Sequence, residues 1–137
     1  MKKLLLGTAL FSLMSSLVFA DGAGGVNDKT VITKRDGAAI YAVSCAGCHM
    51  PDGKGAVGAG FYPSLVNNPK LQQPAYPSIV VLYGLHGMPA LGGILDDEQI
   101  ANVVNYVRSN FNGIDKGITA KDVTPMRVKD YQYNDLN

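Results

Sequence analysis

The sequence predicts an all-α domain whose first and last helices pack against each other. Three observations predict it. Ile100, Val103, Val104 and Val107 fall at i, i+3, i+4 and i+7, the spacing of one face of an α-helix. An earlier helix is expected from about Lys34 to the pair of cysteines, with Gly37 and Tyr41 four apart on one side. A short one is expected where Pro77 suits the first helical position, Ile79, Val80 and Leu82 give an apolar side, and Gly84 ends the run.

In chain order, Met1 to Ala20 reads as a secretory signal peptide. Lys2 and Lys3 precede an apolar run from Leu4 to Val18, and Val18-Phe19-Ala20 places a peptidase site before Asp21. The alternative is a retained anchor, but Gly7, Thr8, Ser12, Ser15 and Ser16 dilute a run already short for a span of about 20 residues. Cleavage leaves 117 residues, enough for one domain with a modest core. It also leaves ten basic residues against eleven acidic ones, a net charge of −1. That balance argues against nucleic acid, which calls for a basic face, and favours an apolar docking surface with a few local charges. Export would place the chain in a periplasm, outside the reducing cytoplasm. Residues 21–33 are Gly-rich and polar and read as a flexible leader; a domain at 34–112 and a C-terminal extension at 113–137 follow.

The first helix runs into Cys45-Ala46-Gly47-Cys48-His49, which holds both cysteines of the chain and one of its two histidines. C-x-x-C-H is the c-type haem attachment signature. Two thiols one helical turn apart can each add to one vinyl group of a single porphyrin, and the next residue can present its imidazole to the iron. Cys45 and Cys48 would then tether the haem, with His49 as proximal ligand. A thioredoxin-like pair would not require His49 and would sit in a strand–helix alternation missing here. Zinc would need a third and fourth ligand, and only His86 remains among the cysteines and histidines. One motif means one covalently attached haem c per chain.

Gly37 costs a helix roughly 1 kcal/mol relative to alanine, so it is expected where another backbone comes close; fraying near a helix start is the alternative. From Met50 to Gly60, Pro51-Asp52-Gly53-Lys54-Gly55 with Gly58 and Gly60 deny any regular element and suggest a loop folded against the haem edge. The phosphate-loop pattern is missing. Phe61, Tyr62, Pro63 and Leu65 can wall the pocket, with Tyr62 either bonding a propionate or packing in the core. Asn67 to Pro74 is turn-rich.

Gly87-Met88-Pro89 is the second informative stretch. Methionine sulfur is a soft, uncharged ligand that raises a haem's potential, and Pro89 restricts Met88 to extended geometry. Met50 is next to His49 on the proximal side, Met126 lies beyond the last strong helix, and Met1 and Met14 leave with the signal. Elimination therefore makes Met88 the expected sixth ligand. His86 is the competing ligand, otherwise an exposed loop residue, and a free sixth site would instead admit small molecules.

Asp96 can cap the last strong helix with Gln99 at N3, a capping box worth about 1 kcal/mol. Tyr106 lies beside the apolar stripe and can pack near Gly37 and Tyr41. Phe111-Asn112-Gly113 is expected to break the helix. A brief turn follows from Thr119 to Arg127, with Thr119 and Asp122 spaced as a capping box and Pro125 limiting its length. Val128 to Asn137, with Tyr131 and Tyr133, is either a disordered tail or a strap that docks on a partner.

Over roughly residues 34 to 110 the chain resembles class I c-type cytochromes, on the strength of Cys45 to His49 and Gly87-Met88-Pro89. Such families pack an N-terminal helix carrying glycine and an aromatic across a C-terminal helix carrying another aromatic, a pattern that Gly37, Tyr41 and Tyr106 match. Tyr62-Pro63-Ser64-Leu65, Asn68-Pro69, Met88-Pro89 and Asp97-Glu98-Gln99-Ile100 are similar to haem domains in cytochrome subunits of periplasmic dehydrogenases. Those subunits take electrons from flavin, quinone or molybdenum partners, and several carry three haems where this chain has one motif. The resemblance implies a non-enzymatic electron carrier, with such a dehydrogenase as donor and another cytochrome or an oxidase as acceptor. A haem enzyme or ligand sensor with a displaceable sixth ligand is one alternative; a docking subunit of a larger redox complex is the other.

Overall fold

The computed structural model describes residues 32–58 and 60–131. The expected signal at 1–20, most of the leader and residues 132–137, Tyr133 among them, lie outside these residues.

Helix α1 spans Gly37–Ser44, started by Asp36, whose Oδ2 accepts from the Ala39 N–H at 2.9 Å. It begins after the expected Lys34 because the preceding backbone is held elsewhere: Gln99 Nε2 donates to the Lys34 carbonyl and Asn102 Nδ2 to the Arg35 carbonyl, each at 2.8 Å. It also stops short of the motif, breaking at Cys45 before a separate turn, α2, over Ala46–His49.

Next, the stretch expected to be irregular folds into a small antiparallel ribbon, β1 at Ala56–Val57 and β2 at Phe61–Tyr62. Gly55 makes this possible. At φ 69° it turns the chain so tightly that an added Cβ would strike the Tyr62 carbonyl oxygen and lie 2.8 Å from the Pro63 carbonyl carbon. The turn-rich segment contains a 3-10 helix at Pro69–Leu71, capped by Asn68 Oδ1, which accepts from Lys70 N–H at 3.0 Å.

Helix α3 spans Ala75–Tyr83, starting before Pro77 rather than at it. Pro77 lacks an N–H but still lies within the first turn, where none is needed; Ser78 closes that turn by donating its N–H to Pro74 O at 3.1 Å. Gly84 ends the helix as expected.

Helix α4, Asp97–Asn112, organises the rest. The expected capping box is present: Asp96 Oδ1 accepts from Gln99 N–H at 2.9 Å and Gln99 Oε1 from Asp96 N–H at 3.0 Å. The helix continues through Phe111 and Asn112 instead of breaking there. Phe111 is buried against Tyr41 and Tyr106, with ring centroids 5.2 and 5.7 Å away, and that packing holds the last turn until Gly113 caps it at φ 62°. The α1 backbone crosses α4 at Gly37, where a Cβ would collide with the Asn102 carbonyl oxygen. Close approach, not fraying, explains this glycine.

Ile40, Leu71, Leu82, Leu95, Ile100, Val103 and Val104 fill the core between these helices. The chain then doubles back. Helix α5, Ala120–Val123, starts where the Asp122 carboxylate accepts from both the N–H and the hydroxyl of Thr119 at 2.8 Å, and it buries Val123 completely. A 3-10 turn at Thr124–Met126 follows. Tyr131 then meets Tyr83 edge to face at 4.7 Å, so as far as Tyr131 the segment read as tail or partner strap packs on its own chain. No helix among the described residues is long and apolar enough to cross a membrane.

Candidate functional site

Cys45, Cys48 and His49 are wound into one turn, since the N–H groups of Cys48 and His49 donate to the Cys45 carbonyl at 3.1 and 2.9 Å. Neither cysteine is in a disulfide, and Cys45 is half-buried while Cys48 is exposed. Before any haem is attached, burial, helped by neighbouring Cys48, pushes the Cys45 thiol up to about 11. After His49 the backbone reverses at Met50, φ 65°. The Met50 carbonyl accepts from the Tyr41 hydroxyl at 2.7 Å. Burial foremost, then the nearby Cys45, Tyr106 and Asp52, raises Tyr41 to about 12 and keeps that phenol a neutral donor.

The glycine loop then brings the chain back under the imidazole. His49 Nδ1 lies 3.0 Å from the Pro63 carbonyl oxygen. A carbonyl can only accept, so Nδ1 carries a proton, and in a neutral ring this leaves the lone pair on Nε2, the arrangement a histidine needs to bind a metal through Nε2. Helix α4 steadies the segment that follows: Asn112 accepts from Asn68 N–H at 2.8 Å and donates to the Leu65 carbonyl at 2.9 Å. Pro63 was foreseen as a wall residue, not as the partner of His49. No local signal marks a carbonyl that works across a loop.

Met88 sits on a second loop. Leu85 and Met88 exchange both backbone hydrogen bonds at 3.0 Å, forming a tight hairpin with His86 and Gly87 at its tip. His86 is exposed at φ 53°, whereas Met88 is half-buried against the same hydrophobic core that carries Cys45, Ala46, Leu65 and Val66. The loop's return limb closes on α3, with Leu91 and Gly92 N–H donating to the Val81 and Leu82 carbonyls at 2.9 and 3.1 Å. Cys45 and Cys48, in one turn, would hold a haem through its two vinyl groups, and the His49 imidazole and the half-buried Met88 thioether are donors of the kind haem iron takes. Among the described residues no group of three or more His, Cys, Asp or Glu side chains is placed to hold a metal ion.

Residues 33–107 match the family described as cytochrome c oxidase, cbb3-type, subunit III. Cytochrome c-552 of Thermus thermophilus is 33% identical, over 72% of this chain and 78% of that one. The chain belongs to the cytochrome c family. As a member of that family it carries covalently bound haem c, and its first and last long helices pack against each other in the all-α arrangement that the sequence led us to expect. The fructose dehydrogenase cytochrome subunit of Gluconobacter japonicus is 35% identical, over 83% of this chain and 26% of that subunit. The gluconate 2-dehydrogenase cytochrome c subunit of Pantoea cypripedii is 36% identical, over 66% and 24%. This cytochrome thus spans about a quarter of the length of the dehydrogenase subunits it matches.

Proposed function

We propose that Cys45 and Cys48 hold the haem through thioether bonds, that His49 Nε2 and the Met88 sulfur are its two axial ligands, and that the cytochrome carries single electrons in a periplasm from a dehydrogenase to another cytochrome or an oxidase. The bound haem supplies the one-electron chemistry between Fe(II) and Fe(III). The observation that carries this reading is the bond from His49 Nδ1 to the Pro63 carbonyl, which orients the ring and leaves Nε2 as the donor atom. Met88 contributes a neutral, soft sulfur that favours the reduced state, and Pro89 limits the backbone freedom of Met88. The exposed position of His86 at the hairpin tip favours Met88 over it. With His49 and Met88 both bound to the iron, no position would be left there for a substrate.

Two features support the dehydrogenase donor and the compartment: the similarity to dehydrogenase cytochrome subunits, and the signal-like pattern of residues 1–20. Exposed apolar side chains on the ribbon, Val57 and Phe61, suit a partner recognised by apolar contact rather than by strong electrostatic steering. The oxidised protein should show the weak far-red sulfur-to-iron absorption band, and the reduced protein should bind carbon monoxide slowly. Lack of the band together with rapid carbon monoxide binding would instead identify a haem enzyme or sensor.

A further inference from the structure

The loop that carries Met88 is fastened at both ends by one short stretch from far along the chain. Ahead of the loop stands Tyr83, the last residue of α3. Its hydroxyl donates to the Met126 carbonyl at 2.7 Å and accepts from the Val128 N–H at 2.6 Å. Beyond the loop, Arg127 donates from Nη1 to the Gly92 carbonyl at 2.6 Å and from Nη2 to the Leu95 carbonyl at 2.8 Å. Its Nε is held by Asp97 Oδ1 at 2.5 Å, and Asp97 Oδ2 accepts from the Thr124 hydroxyl at 2.6 Å. The Arg127 and Asp97 side chains are only 25% and 21% exposed, so this is an ordered pair rather than a solvated surface contact.

We propose that Met126–Val128 form a clamp on the methionine loop, with Tyr83 and Arg127 as positioning residues for Met88. The clamp rests on the reading of Met88 as sixth ligand. Its logic is that of local opening: a loop leaves its native position at a frequency set by the contacts that tie it down. Gly92 is where two closures meet, because its N–H bonds the Leu82 carbonyl while its C=O receives the Arg127 guanidinium. Charge-assisted bonds of the latter kind are roughly twice as strong as neutral ones, so losing Arg127 leaves the return limb on its two backbone bonds to α3. The competing view is that Tyr83 and Arg127 merely fasten the end of the chain. On that view, weakening them frees residues 118–131 and leaves 84–92 unchanged.

Hydrogen–deuterium exchange of the haem-loaded protein, read by mass spectrometry, separates the two views. Tyr83→Phe and Arg127→Ala should each speed exchange across 84–92 by about tenfold or more, with 100–107 unchanged and Arg127→Lys intermediate. In the same order, the far-red band should weaken and carbon monoxide should bind the reduced protein faster. Faster exchange in 118–131 alone overturns the clamp. Faster exchange in 84–92 with an unaltered band and carbon monoxide rate overturns its role in positioning Met88. If the wild type itself shows no far-red band, the ligand reading fails; the clamp is then judged on exchange alone, with faster exchange in 84–92 supporting it and no change overturning it. Should Arg127→Ala also speed exchange at 100–107, Tyr83→Phe, which removes a single oxygen, decides between the two views by the same criteria.

Discussion

At the scale of single residues, what matters is which atoms have no room to move. Gly37 faces the Asn102 carbonyl, part of a helix backbone that cannot rotate aside. Alanine would gain up to about 1 kcal/mol of helix propensity there, yet overpacking against backbone typically costs about 1–3 kcal/mol. Gly37→Ala should therefore be net destabilising, measured as a lowered denaturation midpoint in guanidinium. Cys45 and Cys48 separate in another way. Replacing either by alanine should leave haem attached through one thioether, visible as an altered haem absorption spectrum with the haem mass still on the protein.

Helices and loops show why some features were legible in the sequence and others not. The capping box of α4, the stripe from Ile100 to Val107, the stop at Gly84 and the box at Thr119 and Asp122 all rest on neighbours within a few residues, and all appear as expected. The ribbon at Ala56–Val57 and Phe61–Tyr62 is too short to carry a period-2 pattern among so many glycines. The Pro63 carbonyl acts at a distance of 14 residues, which no local pattern reports. Arg108 was legible in principle. It lies four residues after Val104, on the apolar stripe, and is buried with its guanidinium donating to the carbonyls of Leu71, Gln72 and Lys116. Asn112 plays a comparable part at the end of α4, bridging Leu65 and Asn68. Asn112→Ala should cost about 1–3 kcal/mol by stranding these groups and should speed amide exchange at residues 65–68 more than at 75–83.

For the whole molecule, the two ends of the described chain converge on the start of α4. Arg35 contacts Asp96 and Glu98 from the N-terminal side, while Arg127 holds Asp97 from the C-terminal side. Burial alone would raise the Asp97 carboxyl; hydrogen bonds from Thr124 and Arg127, with the Arg127 charge, outweigh it and hold the group below its ordinary value of 3.8. A carboxyl depressed in the folded state adds stability above its unfolded value, and that stability is lost as pH falls through the folded one. Stability should thus fall on acidification below about pH 4, and Asp97→Asn should flatten that part of the profile in a pH-dependent denaturation series. The same packing fixes in one unit the motif turn, the glycine loop bonded to His49 and the hairpin that carries Met88, the three parts on which the proposed haem site depends. The most direct check is a redox titration of the wild type beside Met88→Ala, with mass spectrometry to follow the haem. The potential should drop by on the order of 100 mV, within the roughly 0.8 V range that axial ligands command, while the haem stays covalently attached. An unchanged potential in Met88→Ala would contradict the assignment of Met88 to the iron.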